Sequence, residues 1–205
     1  MFTLVGAPLE PQIAAAHDLF PHIRIVLGMV IGLGVARLLS GLAKILQHPK
    51  QYRLYPLHFA WACSVMLMLI HFWWWEFGLS KIEVWSFGKY FFVFSYAVAL
   101  FMLCALLFPD SMEDYRSHED FFFERRSWFF GVLAATYVID VGDTLMKGTD
   151  HLLSFGPEYL LRTPLIVLLC IVAAIVKNRA FHATFLVFKV GYQLFWILRH
   201  FDTLA

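Results

Sequence analysis

Charge is what this chain has least of. Asp, Glu, Lys and Arg make up 15% of its 205 residues, where a soluble protein carries about 25%. Apolar residues reach 60%, and the mean hydropathy is +0.69. A soluble fold of this length has too little interior to hide that much apolar surface. The net charge of +1 gives no field that would gather nucleic acid or an acidic partner. Cysteine is also sparse: Cys63, Cys104 and Cys170 each sit in an apolar run with no CxxC, so they read as packing residues rather than disulfide or metal ligands. No P-loop, GxSxG, HExxH or potassium-filter motif is present. There is no internal repeat and no low-complexity segment. Residues 1–20 lack the basic start of a signal peptide and carry Glu10, Pro11 and Asp18 instead. They read as a short interfacial or loosely structured lead-in to a first span that stays in the mature chain.

What the chain does have is long hydrophobic runs. A membrane-spanning helix needs about twenty predominantly apolar residues. Six runs qualify, at about 22–46, 55–78, 88–108, 127–147, 158–177 and 181–201. Pro56 suits a first turn, and Pro109, Gly148 and Gly156-Pro157 mark ends. The fifth run is the least regular, because Arg162 and Pro164 interrupt its start. The expected architecture is all-α: a polytopic transmembrane helical bundle of about six spans, one domain over 1–205, with the lipid bilayer as its surroundings. The single long connection, 109–126, reads as a charged amphipathic loop. Asp110 or Ser111 is placed to cap a helix, with Glu113 and Asp114 in its first turn. Phe121, Phe122 and Phe123 return it to the membrane surface.

Lys44, Lys50, Arg53, Arg116, Arg125, Arg126, Lys177 and Arg179 crowd one set of span ends, against Arg24, Lys81, Lys89, Lys147, Arg162 and Arg199 on the other. The positive-inside rule turns the first set to the cytoplasm and places both termini outside. Minimal mass beyond the spans suits a bacterial inner membrane. Trp73, Trp74, Trp75, Trp85 and Trp128 fall at span ends, as an interfacial aromatic belt would.

A charge near the bilayer centre costs at least about 2.5–3.5 kcal/mol on insertion scales, so it faces a partner, a cavity or water. On the fourth run Thr136, Asp140, Asp143, Thr144 and Lys147 recur on one helix face. On the sixth, His182, Lys189, Gln193, Trp196 and His200 form a second stripe. Lys189 lies about 12 Å from the cytoplasmic end of its span and Asp140 about 20 Å from that end of its own. A lysine stem could bridge the difference, so an Asp140–Lys189 ion pair is expected, direct or through water. Arg162 enters from the opposite side at the depth of Asp143. His71 lies in the same outer half, and Glu76 near the interface. Asp140, Asp143, Lys189, Arg162, His71 and Gln193 thus outline a polar pocket open to the outside.

Gly28, Gly32, Ala36 and Ser40, with Gly34 and Gly41, give the first run a ridge of small residues suited to close internal packing rather than a dimer seam. Arg37, on another face, reaches the interface or the carbonyl end of a neighbouring helix. The third run has no charge between Lys89 and Asp110, and is expected to face lipid or a second protomer, in a homo-oligomer or beside a membrane partner. Haem is a weak alternative: His58 with His182, and His71 with His200, could form two stacked bis-histidine sites. Asp114 and His118 have metal-ligand spacing but fit a solvated capped helix better, and no metal site is assigned. The leading functional expectation is a small transporter or channel for an ion, proton or small solute. The rivals are a structural or accessory subunit whose buried pairs fix helix register, and an intramembrane redox or lipid-modifying enzyme.

Overall fold

The computed structural model describes the backbone of residues 9–48 and 55–200, and side chains from Leu19 onward. Lys50, Arg53 and the last residue of the sixth expected span lie outside that range, as do the side chains of Glu10, Pro11 and Asp18. Seven α-helices follow in order: α1 Leu9–Gln47, α2 Pro56–Trp75, α3 Phe87–Leu107, α4 His118–Met146, α5 Thr149–Ser154, α6 Gly156–Ile175 and α7 Arg179–His200. A 3-10 turn, Glu76–Lys81, prolongs α2. No strand occurs among the described residues. Six of the helices are long and apolar enough to cross a membrane, and α5 is a short link between α4 and α6. The chain is an all-α, six-span integral membrane protein.

Local chemistry sets most of the boundaries. Ser86 caps α3 by accepting from the Lys89 backbone N–H at 3.3 Å, and Pro56 occupies the first turn of α2. Gly148 and Gly156 bracket α5 with φ of +129° and +71°, a conformation that costs other residues their Cβ clearance. The α6 helix runs unbroken through Pro164. At the other end of the chain, α1 already begins at Leu9 and continues through Pro21, so the backbone of the lead-in is helical from there on.

The long connection is shorter than expected. Ser111-Met-Glu-Asp and Ser117-His-Glu-Asp carry the same capping pattern, and the helix starts at the second. Ser117 accepts from the Asp120 N–H at 3.1 Å, whereas Ser111 only closes a turn with Glu113. Burial decides the choice. Phe121 and Phe122 are in helical register with Phe129, Phe130 and Leu133, and all five are buried in the bundle rather than returned to the membrane surface. At 29 residues, α4 is about 43 Å long, so it spans the hydrocarbon and projects its charged start, with exposed Glu124 and Arg125, beyond it.

In the bundle, α4 packs along α6 and α3, α3 packs along α1, and α2 lies against α7. Trp61 of α2 anchors the centre, with ring centroids 5.4 Å from Phe129, 5.2 Å from Phe130 and 5.6 Å from Phe185.

Two expectations about packing are corrected. The α3 helix does not simply face lipid: Val93, Tyr96, Ala97, Leu100, Leu103, Cys104 and Leu107 are buried between α1 and α4. Absence of charge cannot separate the two cases, because a lipid-facing and a helix-facing surface are equally apolar in a membrane. On α1 the small-residue ridge is split. Leu27, Ile31, Gly34, Leu38, Gly41 and Ile45 are buried at alternating steps of four and three, the spacing of a coiled-coil seam. A Cβ on Gly34 would lie 3.2 Å from Cys104 Sγ, and one on Gly41 would run into the Phe108 ring. Gly28 meets Trp73, but Gly32, Ala36 and Ser40 are exposed, and nothing lies within 4 Å of a Cβ built on Gly32. A row of i, i+4 residues drifts around the helix and leaves a neighbour that the 3-4 seam follows. Arg37 reaches a carbonyl end as expected: its Nη2 donates to Phe108 O at 2.9 Å and pairs with Asp110.

Candidate functional site

The polar face read on α4 turns into the bundle. Thr136, Asp143 and Thr144 are fully buried, and the Asp140 and Lys147 side chains are 18% and 2% exposed. They build two linked clusters at the end of the bundle where α4 gives way to α5.

The first cluster surrounds Lys147. Its Nζ lies 2.5 Å from Asp143 Oδ2 and 3.3 Å from Glu76 Oε1, and donates to Trp75 O at 3.3 Å. Trp75 Nε1 donates to the same Asp143 oxygen at 3.0 Å. Glu76 is buried where it opens the 3-10 turn that prolongs α2, and Gly78 of that turn leaves room for the lysine stem. One ammonium therefore serves two carboxylates with almost no solvent contact, an arrangement that holds only while every member has its partner.

The second cluster centres on Asp140. Its Oδ2 accepts from Arg162 Nη2 at 2.7 Å and from Tyr159 OH at 2.8 Å, and its Oδ1 from Tyr96 OH at 3.3 Å. Tyr159 OH also shares a hydrogen bond with Thr144 Oγ1 at 2.7 Å. The Arg162 guanidinium lies 4.5 Å from the Tyr159 ring centre, 5.5 Å from Trp196 and 5.8 Å from Tyr137. An arginine so placed has both a counter-charge and aromatic faces.

Beside this pair lies a cavity of about 60 Å³, lined by His71, Asp140, Arg162 and Gln193 together with Tyr96 and Trp196. One water needs about 10–15 Å³ of such space, so the cavity admits a few. Deeper along α7, Lys189 is 1% exposed and donates to Ser64 Oγ at 2.7 Å and Gln193 Oε1 at 3.2 Å. Among the described residues, no carboxylate lies within ion-pair distance of it.

The structure thus gathers His71, Asp140, Arg162 and Gln193 around one cavity, with Lys189 bound to Gln193 and Asp143 in the neighbouring cluster. One partner differs from that expected: Asp140 pairs directly with Arg162 rather than Lys189, while Asp143 pairs with Lys147 one turn along the same helix face. The rotation of α7 about its axis presents Lys189 to α2 through Ser64. Sequence reasoning missed Tyr96, Tyr159 and the burial of Glu76. Lone hydroxyls in apolar runs are the only signal they leave. Trp75, assigned to an aromatic belt, is instead a buried donor to Asp143, while Trp128 stays exposed.

The histidines do not form the two bis-histidine sites. His58 Nε2 donates to Leu107 O at 2.5 Å and His182 Nε2 to Val176 O at 2.9 Å. The Phe122 ring contacts both imidazoles. His71 packs on Trp75, and His200 stacks on Trp196 at 4.0 Å. His118 lies buried beside His58, with ring centres 5.4 Å apart, rather than on a solvated loop beside Asp114. Among the described residues, no three His, Cys, Asp or Glu side chains converge as metal ligands.

Compared with protein-family models, curated proteins and solved structures, the chain matches none.

Proposed function

We propose that this membrane protein is a small transporter or channel whose working site is the cavity beside Asp140 and Arg162. The observation that supports the reading is the placement of that pair. A carboxylate and a guanidinium, paired at 2.7 Å inside a transmembrane bundle, border a space with room for a few waters. Intramembrane ionisable groups facing a cavity are the usual mark of an ion or solute path. In this reading a cargo entering the cavity competes with Arg162 for Asp140. A change in that pairing is felt by α4 and α6 together, since each holds one partner. Such a cargo shifts the helix arrangement only through its differing affinity for the two pairings.

The Glu76–Lys147–Asp143 cluster favours a second reading for its own part of the molecule. Its three side chains are almost free of solvent contact, and its pairs serve to fix the register of α2 against α4, as they would in an accessory subunit. The proposed orientation puts the ends of α1, α3 and α6 in the cytoplasm of a bacterial inner membrane. A cysteine at exposed Ser111 is then labelled by an impermeant reagent only from the cytoplasmic side.

The test is transport by the purified chain in liposomes across a panel of inorganic ions and small polar solutes. Asp140→Asn keeps the shape of the side chain and removes its charge. The expected result is a flux above that of empty liposomes which Asp140→Asn lowers by about tenfold or more, the scale of one lost charge-assisted contact. Fluxes indifferent to the substitution for every species would refute the site.

A further inference from the structure

The cavity is one level of a longer column. At the outer end stand Glu76, Asp143 and Lys147. Next come Asp140, Arg162, Tyr159 and His71, and then Gln193, Lys189 and Ser64 joined by hydrogen bonds. Along α7, Lys189 lies about 10 Å from His182, and along α2, Ser64 lies about 9 Å from His58. His58, His182 and His118 are all buried at that inner end. The α2 and α7 helices thus repeat the same sequence of polar levels side by side.

Between the Lys189 level and the histidine level the column is sealed. Trp61, Phe129, Phe130 and Phe185 occupy that stretch of α2, α4 and α7, each buried. Their ring centres lie 5.0 Å apart for Phe129 and Phe130 and 6.0 Å for Phe130 and Phe185. Thr184 of α7, at the same level, is exposed on the outside of the bundle, and the Trp61 indole N–H is a polar atom inside the layer.

Size and charge together restrict what can use this route. The cavity of about 60 Å³ is far smaller than the roughly 300–1,000 Å³ of pockets for drug-sized ligands. Three carboxylates against two cations guard the outer levels and oppose an anion. A buried ammonium at Lys189, held only by neutral Ser64 and Gln193, opposes a metal cation. A proton is the one charge that avoids both barriers, because it travels on the groups themselves.

We propose that the cargo is the proton and that Lys189 relays it at the middle of the bilayer. The proposal rests on the transport reading above. In the relay the Lys189 N–H bond breaks and its proton passes by Gln193 and the cavity to the Asp140 carboxylate, forming an O–H bond there. That O–H bond then breaks as the proton goes on to water on the outer side, and the neutral amine takes a proton from the His182 side when the aromatic layer parts. Both groups return to their starting state after each passage, so no other reactant is consumed.

The experiment uses the full chain in liposomes that enclose a pH-sensitive dye, with a potassium gradient and valinomycin setting the potential. The wild type is expected to change internal pH well above empty liposomes. Lys189→Met and Lys189→Arg should each cut that rate by about a hundredfold, the low end of the effect of a positioned proton carrier. Arginine keeps the charge but does not release its proton, so it separates a relay from a fixed cation. Phe185→Ala, which thins the seal without touching the polar levels, should raise the rate several-fold and keeps the question open to test should the lysine variants fail to fold. Wild-type rates in Lys189→Arg overturn the relay. Asp140-dependent movement of chloride, sodium or a solute, with a silent dye, overturns the proton and leaves the transport reading standing. Liposomes that pass nothing at all overturn both.

Discussion

Asp140 is the residue on which most of the buried polar structure converges. It accepts from an arginine and a tyrosine of α6 and from a tyrosine of α3, and a carboxylate so placed keeps its charge tolerable only while those donors remain. Arg162→Ala leaves the carboxylate buried without its counter-charge and should destabilise the fold by about 3–5 kcal/mol, whereas Asp140→Asn with Arg162→Gln removes both charges and should cost less than Arg162→Ala alone. Thermal unfolding in detergent measures this, and a double variant less stable than Arg162→Ala would show that the pair does not couple. At this scale the sequence was half legible. Thr136, Asp140, Asp143, Thr144 and Lys147 share one helix, so their common face follows from the helical period alone. Their partners depend on how α6 and α7 are rotated, and no spacing within α4 contains that. Lys189 shows the consequence: it is buried in the bundle, and its neighbours are Ser64 and Gln193 rather than Asp140.

Among the elements, α1 shows most clearly how two legible patterns compete. The row Gly28-Gly32-Ala36-Ser40 and the seam Leu27-Ile31-Gly34-Leu38-Gly41-Ile45 are both visible in the chain, and the structure uses the seam. The difference is measurable. Gly41→Ala drives a methyl into the Phe108 ring and should cost about 1–3 kcal/mol, with Gly34→Ala milder because a thiol can shift. Gly32→Ala, which meets nothing, should be neutral or stabilising by up to about 1 kcal/mol through helix propensity. The same thermal assay reads all three, and equal losses at Gly32 and Gly41 would mean that α1 docks through the other face. The start of α4 carries a similar lesson. Two identical capping signals precede it, and the buried Phe121 and Phe122 select the second, a tertiary preference that local sequence does not record.

For the molecule as a whole, the six spans were legible because bilayer thickness imposes a length that no soluble fold requires. The neighbour relations were not, since apolar residues facing lipid and apolar residues facing α1 or α4 look alike, as α3 demonstrates. What the bundle encloses is the central matter: a polar cavity beside Asp140 with room for a few waters, above a dry aromatic layer. The most direct measurement places single cysteines at Thr136, which lines that cavity, and at Leu133, one turn deeper and buried in apolar packing. Cys63, Cys104 and Cys170 are replaced by alanine in both. Silver ion, small enough to follow water, is then applied from the outer side of the membrane. The account predicts rapid modification at position 136 and protection at position 133; protection of both would contradict a hydrated site and leave Asp140 and Arg162 as a purely structural pair.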